Sequence, residues 1–171
     1  PFHYGRWFYD DMYGWLWVPG YNWAPAWVTW GFYGDDYCWA PLMPGVNVGQ
    51  DFGYWRPPSF YWNACSRDHI YDRNLDAVTE RPGQIANFTN RIDIIRNFTP
   101  TRRRDAFYSK GPDVQEVQRY VHTRVEPATI RDVHNMVEAK HNGNELNIYR
   151  PEVESPQTTT QRYHVQNIRP P

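Results

Sequence analysis

A Trp-rich stretch near the start of the chain decides the fold: residues 6–20, RWFYDDMYGWLWVPG. It contains two aromatic runs, Arg6–Tyr9 and Tyr13–Val18, separated by Asp-Asp-Met. Runs of Trp, Tyr and Val bounded by turn residues are typical of short β-strands. Alternation along the second run places Trp15 and Trp17 on the same strand face. The stretch therefore predicts a β-hairpin.

A second unit of the same kind begins about 24 residues later. Its aromatic runs, Trp27–Tyr33 and Tyr37–Ala40, flank a Gly-Asp-Asp segment. Gly and Pro recur at short intervals as far as Pro58, and such spacing opposes helix formation. We therefore expect a mainly β protein. Residues 1–80 would form a Trp-rich module, built either as a small-barrel-like structure or as a twisted antiparallel sheet.

The chain changes character after this module, and residues 84–153 are predicted to be a small α+β segment. Residues 85–89 and 92–99, rich in Asn, Thr and Ile, predict a pair of polar strands. Gly111-Pro112-Asp113, followed by valines at helical spacing, predicts a helix near residues 112–123.

Two further features lie nearer the C-terminus. Asn142-Gly143 is a strong turn signal and predicts a hairpin near residues 136–149. Residues 154–171, rich in Pro, Thr and Gln, predict an extended tail that does not fold alone.

The distribution of charge excludes several classes of protein. Residues 1–62 hold 22 of the 30 aromatic residues and all nine Trp, but they carry five Asp against two Arg, a net charge of −3. Nucleic-acid binding by base stacking needs aromatic side chains interleaved with positive charge, so we expect no nucleic-acid partner. No apolar run approaches the roughly 20 residues of a membrane-spanning helix.

The aromatic side chains are too many for one small sheet to bury completely. We therefore expect some rings to remain exposed, as an interface for a protein partner or as a stacking platform for a glycan. The candidates for this binding surface share a position in Pro/Gly-rich loops rather than in the middle of strands: Tyr21, Trp23, Tyr54, Trp55, Tyr61 and Trp62.

No catalytic or metal-binding pattern accompanies these residues. The six His are scattered without a His-x₃-His pair, and there is no Cys-x₂-Cys. No Ser lies in a Gly-x-Ser-x-Gly motif. We expect no enzymatic activity, no cofactor and no metal ion.

The two cysteines, Cys38 and Cys65, allow two interpretations. A disulfide between them would stabilise the fold by roughly 3.5 kcal/mol in the chain-entropy estimate for a loop of this size. Two buried, independent thiols are an equal alternative from the residues alone.

Several motifs of the first 45 residues resemble a known family. Residues 13–20, YGWLWVPG, residues 23–30, WAPAWVTW, and residues 39–42, WAPL, are similar to uncharacterised Trp/Tyr-rich exported proteins of Gram-negative bacteria. Those proteins repeat Tyr-Gly-Trp-Val-Trp-Val-Pro and Tyr-Gly-Trp-Ala-Pro-Leu segments. They have no assigned activity, so no catalytic residue carries over to this chain.

The resemblance implies an exported protein of the periplasm, the outer membrane or the cell surface. Because the chain begins at Pro1 without Met, we expect a processed or truncated product from which any export signal has already been removed. In an oxidising compartment, Cys38 in place of the family's Gly favours a bridge to Cys65. We expect a structural or accessory envelope subunit that docks to protein partners through exposed aromatic side chains and its tail. The alternative is a module that binds peptidoglycan or a surface polysaccharide.

Overall fold

The computed structural model describes residues 2–46, 57–102 and 106–149, apart from the side chains of Phe2 and His141. The elements in chain order are β1 (Gly5–Asp10), β2 (Gly14–Pro19), β3 (Val28–Tyr33), β4 (Asp36–Pro41), β5 (Asn63–Ser66), α1 (Pro82–Ala86), β6 (Asp93–Ile94), β7 (Phe98–Pro100), β8 (Phe107–Ser109), α2 (Val114–Val121), β9 (Thr129–Val133), β10 (His141–Asn142) and β11 (Glu145–Tyr149). The protein is mainly β, as the sequence predicts.

The first Trp-rich stretch forms an antiparallel hairpin of β1 and β2, with Asp10 opposite Gly14. Its turn is closed by Asp10, whose Oδ1 accepts hydrogen bonds from the backbone N–H groups of Met12 at 2.9 Å and Tyr13 at 3.0 Å. Gly14 has a φ of +74°, a conformation that favours glycine. The predicted hairpin is confirmed, and its local turn chemistry sets its register.

The second Trp-rich stretch forms the hairpin of β3 and β4, which is the centre of a four-stranded sheet with the order β5-β4-β3-β6. Strand β6 comes from a distant part of the chain and pairs with β3 through Gly31 opposite Ile94. A Cβ at Gly31 would lie 2.5 Å from Cγ2 of Ile92 and 2.8 Å from the carbonyl oxygen of Asp93. The absence of a side chain at this position lets β6 approach β3.

The remaining strands form smaller sheets. Strands β7 and β8 are antiparallel, whereas β11 pairs antiparallel with β10 and parallel with β9. The strands of the described ranges therefore form four separate sheets and do not close into a barrel. The small-barrel alternative was wrong, and the antiparallel-sheet alternative is confirmed.

The larger core cluster joins early and late parts of the chain. It contains Cys38, Ala40, Tyr61, Trp62, Ala64, Ile85, Phe88 and Ile92. The predicted strand at residues 85–89 was wrong, because Pro82 begins the short helix α1 and Gln84 reaches back to the backbone N–H of Arg81 at 3.2 Å. Ile85 in α1 and Phe88 in the turn that follows it are both buried in this core. The division into modules at 1–80 and 84–153 stays a prediction.

Helix α2 begins after Asp113, whose Oδ1 accepts hydrogen bonds from the backbone N–H groups of Gln115 at 2.9 Å and Glu116 at 3.1 Å. This is the usual way in which a carboxylate satisfies the first free donors of a helix. The helix ends at Val121, and the next residue, His122, adopts a left-handed conformation with a φ of 51°. The part of the chain that the structure describes contains no helix long and apolar enough to cross a membrane. The tail at 154–171 lies outside the described residues.

The predicted disulfide was wrong, because Cys38 and Cys65 are both free and buried. The register of β4 and β5 places Cys38 opposite Ala64 and Cys65 opposite Tyr37. Residues directly opposite each other share a sheet face, and the next residue along the strand points to the other face. The two thiols therefore lie on opposite faces of the sheet and cannot be bridged without a shift of register.

Candidate functional site

One face of the β1–β2 hairpin carries aromatic side chains that the core covers only in part. The hairpin register places Trp7 opposite Trp17 and Tyr9 opposite Trp15, so all four side chains project from the same face. Trp7, Tyr9 and Trp15 retain 36%, 38% and 42% of their exposure. Large apolar side chains exposed side by side, rather than singly, are typical of interaction surfaces.

A single helical turn at Ser59–Tyr61 supports these rings from beside the hairpin. Phe60, 48% exposed, packs edge-to-face on Tyr9 with ring centroids 4.9 Å apart. Tyr61 is buried below Trp15, at a centroid distance of 4.8 Å, and its Oη accepts a 2.8 Å hydrogen bond from the backbone N–H of Tyr9. We call Trp7, Tyr9, Trp15 and Phe60 the aromatic face.

The aromatic face borders a groove of about 430 Å³. The groove is lined by Trp7, Trp15, Pro41, Phe60, Tyr61 and Asn63. None of these lining residues carries a charge, so the groove suits an apolar occupant. At the tip of the hairpin, Met12 and Tyr13 are more exposed still and extend the apolar surface beyond the groove.

The structure separates the binding residues predicted from the sequence. Tyr61 lies in the floor of the groove, whereas Trp62 is buried in the core. Tyr21 is exposed and lines a different pocket. Trp23 is half-buried, with its ring 5.5 Å from that of His3. Tyr54 and Trp55 lie outside the described residues.

The sequence analysis named no member of the aromatic face as a binding candidate. Trp7, Tyr9 and Trp15 lie in the middle of strands, where rings were assigned to the core. Phe60 was overlooked although it lies in the same turn as the predicted Tyr61. A signal for Tyr9 and Trp15 was present in the hairpin turn. Three residues between Asp10 and Gly14 fix the register that places Tyr9 opposite Trp15. What the sequence lacks is any sign of whether another element covers that face.

A second group of polar side chains surrounds Arg67 at the edge of the four-stranded sheet. Its Nη1 donates to Oε1 of Glu116 at 3.1 Å and to the Tyr120 hydroxyl at 3.0 Å. Its Nη2 donates to the carbonyl oxygen of Gly34, also at 3.0 Å. The hydroxyl of Tyr37 donates to the same Glu116 oxygen at 3.1 Å. These contacts fasten α2 to the sheet, and we assign the group a structural role.

The pKa shifts in this region do not activate a thiol or a phenol as a nucleophile. Burial, followed by the neighbouring Asp36 carboxylate, raises the pKa of Cys38 to about 12 and that of Cys65 to about 11. Burial, with the nearby charge of Glu116, also raises the pKa of Tyr37. A reactive thiol or phenol needs a lowered pKa, so these groups stay protonated at neutral pH. Within the described ranges, no three His, Cys, Asp or Glu side chains are grouped in a way that would hold a metal ion.

Comparison with known proteins gives one partial match. A family model described as a Family of unknown function (DUF6600) matches residues 1–46, which include both Trp-rich hairpins. The chain is thus similar over this region to an uncharacterised family. No curated protein matches the chain, and no solved structure matches it.

Proposed function

We propose that this chain is a non-enzymatic docking subunit that binds a protein partner through the aromatic face. The observation that carries the proposal is a set of four partly exposed rings, three of which, Trp7, Trp15 and Phe60, line an uncharged groove. Trp and Tyr are enriched among the few residues that supply most of the binding energy in protein interfaces. Trp15 is the natural centre of such an interface, because it borders the groove and contacts Tyr9, Phe60 and Tyr61.

The aromatic face is held in place before any partner arrives. Trp15 rests on buried Tyr61, and the hydrogen bond from the Tyr9 backbone to Tyr61 ties the hairpin to the neighbouring turn. Phe60 contacts both Tyr9 and Trp15, at centroid distances of 4.9 and 6.5 Å. Rings already fixed by packing lose little conformational entropy on binding, which leaves more of the contact energy for affinity.

Charge defines the chemistry of the partner. The groove is uncharged, but Asp10 and Asp11 stand at the tip of the same hairpin, and residues 1–62 carry a net charge of −3. We therefore propose a partner segment with apolar side chains that enter the groove and a Lys or Arg beside them that faces the tip. Complementary charge at the rim guides association and fixes orientation.

The resemblance to exported proteins of Gram-negative bacteria supports a location in the cell envelope, in the periplasm or at the outer membrane. The tail at 154–171 is proposed as a second docking element. The match of residues 1–46 to a family of unknown function is compatible with this location and adds no activity.

Site-specific photo-crosslinking in cells tests the proposal. A benzoylphenylalanine at position 60 should crosslink to one defined polypeptide, whereas the same group at Tyr71, an exposed ring outside the aromatic face, should not. The purified partner should then bind the parent chain, and Trp15→Ala should weaken that binding by roughly 30-fold or more, as expected for the loss of a central aromatic contact. Tyr71→Ala is the matched control and should leave the affinity unchanged.

Two results would contradict a protein partner. Crosslinking of equal strength at positions 60 and 71, or at neither, would mean that the aromatic face does not dock to protein. Saturable binding of purified peptidoglycan fragments or surface polysaccharide that depends on Trp15 and Asn63 would identify the groove as a glycan platform instead.

A further inference from the structure

A second pocket lies at the end of the β1–β2 hairpin where β1 begins and β2 ends. It has a volume of about 220 Å³. Its lining includes Arg6, Val18, Pro19, Tyr21, Asn22 and Pro44. One water molecule needs roughly 10–15 Å³ of such space, so the pocket has room for a small organic molecule. Arg6 and Val18 are cross-strand partners on the hairpin face opposite the aromatic face.

Among the residues that the structure describes, Arg6 is the only charged one that lines this pocket. Its guanidinium carbon lies 4.3 Å from the ring centroid of Trp27, which is buried and donates its Nε1–H to the carbonyl oxygen of His3 at 2.9 Å. The Nη1 of Arg6 donates to the carbonyl oxygens of Met43, at 3.1 Å, and Val46. One end of the guanidinium is thus fixed by backbone and one face by an indole ring.

The rest of the guanidinium is not used by the described part of the chain. Nε and Nη2 donate no hydrogen bond to any residue of the described ranges, and no carboxylate in those ranges forms an ion pair with Arg6. Burial lowers the pKa of Arg6, but an arginine still carries its charge at neutral pH. A partly buried cation without a counter-ion costs free energy, and an anion in the pocket would offset that cost.

We propose that this pocket binds a small organic carboxylate, with the Arg6 guanidinium as the anion-binding group. The free edge of a guanidinium matches the two oxygens of a carboxylate. The ligand would also have a small apolar body, because Val18, Pro19 and Pro44 form walls beside the cation. Tyr21 and Asn22 supply polar side chains at the same pocket. A free small acid and the C-terminal carboxylate of a polypeptide both offer this chemistry.

The decisive experiment compares two ligands that differ only in their terminal group, a charged carboxylate in one and a neutral carboxamide in the other. N-acetylalanine and N-acetylalaninamide are titrated into the isotope-labelled full chain, and the indole N–H signal of Trp27 is followed by NMR. The acid should shift this signal saturably, and the amide should bind roughly 10-fold or more weakly, since hydrogen bonds to a charged group exceed those to a neutral one. Equal shifts with both ligands, or a shift with neither, would overturn the proposal.

Variants of the chain give an independent readout. Arg6→Gln should weaken binding of the acid by roughly 10- to 100-fold. Arg91→Gln is the matched control, because Arg91 also lies over an aromatic ring, 4.8 Å from the centroid of Tyr33, but does not line the pocket. Unchanged binding in a folded Arg6→Gln chain would overturn the assignment of Arg6. If Arg6→Gln does not fold, the acid–amide comparison on the parent chain decides alone.

A third titration distinguishes the two sources of carboxylate. An acetylated tetrapeptide that ends in the same free alanine is compared with N-acetylalanine. Tighter binding of the peptide would identify the end of a polypeptide as the ligand, and equal binding would identify a free small acid. Tyr71→Ala, at an exposed ring that does not line this pocket, should leave both affinities unchanged.

Discussion

Replacement of Gly31 by alanine tests how the late strand β6 is attached to the Trp-rich sheet. The added Cβ would lie 2.5 Å from Cγ2 of Ile92 and 2.8 Å from the carbonyl oxygen of Asp93, whereas carbon atoms in contact normally stay about 3.5–4.0 Å apart. Ile92 is buried and β-branched, so its side chain has little freedom to turn away. The Asp93 oxygen belongs to the backbone and moves only with the strand.

Relief of this overlap requires β6 to move away from β3 by about 1 Å, which disturbs the pairing of Gly31 with Ile94. Overpacking of a well-filled site costs about 1–3 kcal/mol, and we expect the upper end because one of the two obstacles is backbone. A loss of about 3 kcal/mol corresponds to a Tm lower by roughly 6–12 °C in a domain of this size.

Urea denaturation followed by tryptophan fluorescence and far-UV circular dichroism measures this change. Gly83→Ala is the control, because a Cβ at Gly83 meets nothing within 4 Å and the residue lies in α1, where alanine is favoured by about 0.5–1 kcal/mol. The expected result is a lower unfolding midpoint for Gly31→Ala and a slightly higher one for Gly83→Ala. A Gly31→Ala chain as stable as its parent would refute the close approach of β6.

Two further predictions concern the thiols and a surface histidine. At pH 8, Cys38 and Cys65 of the folded chain should resist a thiol reagent, because burial raises both pKa values. Once the chain is unfolded, two thiols should react. An intact mass that shows a disulfide-linked chain under non-reducing conditions would contradict this prediction. The pKa of His69 is raised above 6.5 by its 2.8 Å hydrogen bond to Asp72 and then by the charge of Asp68. The stabilising contribution of the imidazolium is therefore complete below its unfolded pKa and is lost as pH rises through the folded value. NMR titration should show a lower His69 pKa in Asp72→Asn, and an unchanged pKa would count against this pairing.

The parts of the fold that sequence predicts best are those fixed by local chemistry. The β1–β2 hairpin follows from alternating aromatic residues and from Asp10 and Gly14 in its turn. The pairing of β6 with β3 could not be predicted, because it joins residues about 60 positions apart through a two-residue strand. Helix α1 was missed for a different reason. It has five residues and begins with Pro82-Gly83. It is followed by an Asn-Phe-Thr motif whose alternation of polar and apolar residues is typical of a strand.

The sequence predicts that the candidate site is aromatic, but it does not predict which aromatic residues form the site. Composition indicates that some aromatic side chains remain exposed, yet Trp62 is buried while Trp15 is not. The difference depends on which distant segments pack over each ring, and a single sequence does not contain that information. The predicted disulfide was wrong only because the register of β5 against β4 places the two cysteines on opposite faces of the sheet. A one-residue shift of β5 against β4 would place Cys38 and Cys65 on the same face.

The surroundings of Arg67 determine how the molecule responds to ionic strength. Arg67 forms an ion pair with Glu116, and the Arg67 side chain is only 12% exposed. Its guanidinium also lies about 5 Å from the ring centroids of Phe32, Tyr37 and Tyr120. Dissolved ions screen such an enclosed charge weakly, whereas they screen the open pair of Arg131 and Glu145 strongly. Concentrated salt should therefore weaken the exposed Arg131–Glu145 pair on the β9–β11 sheet more than the enclosed Arg67–Glu116 pair that attaches α2 to its sheet.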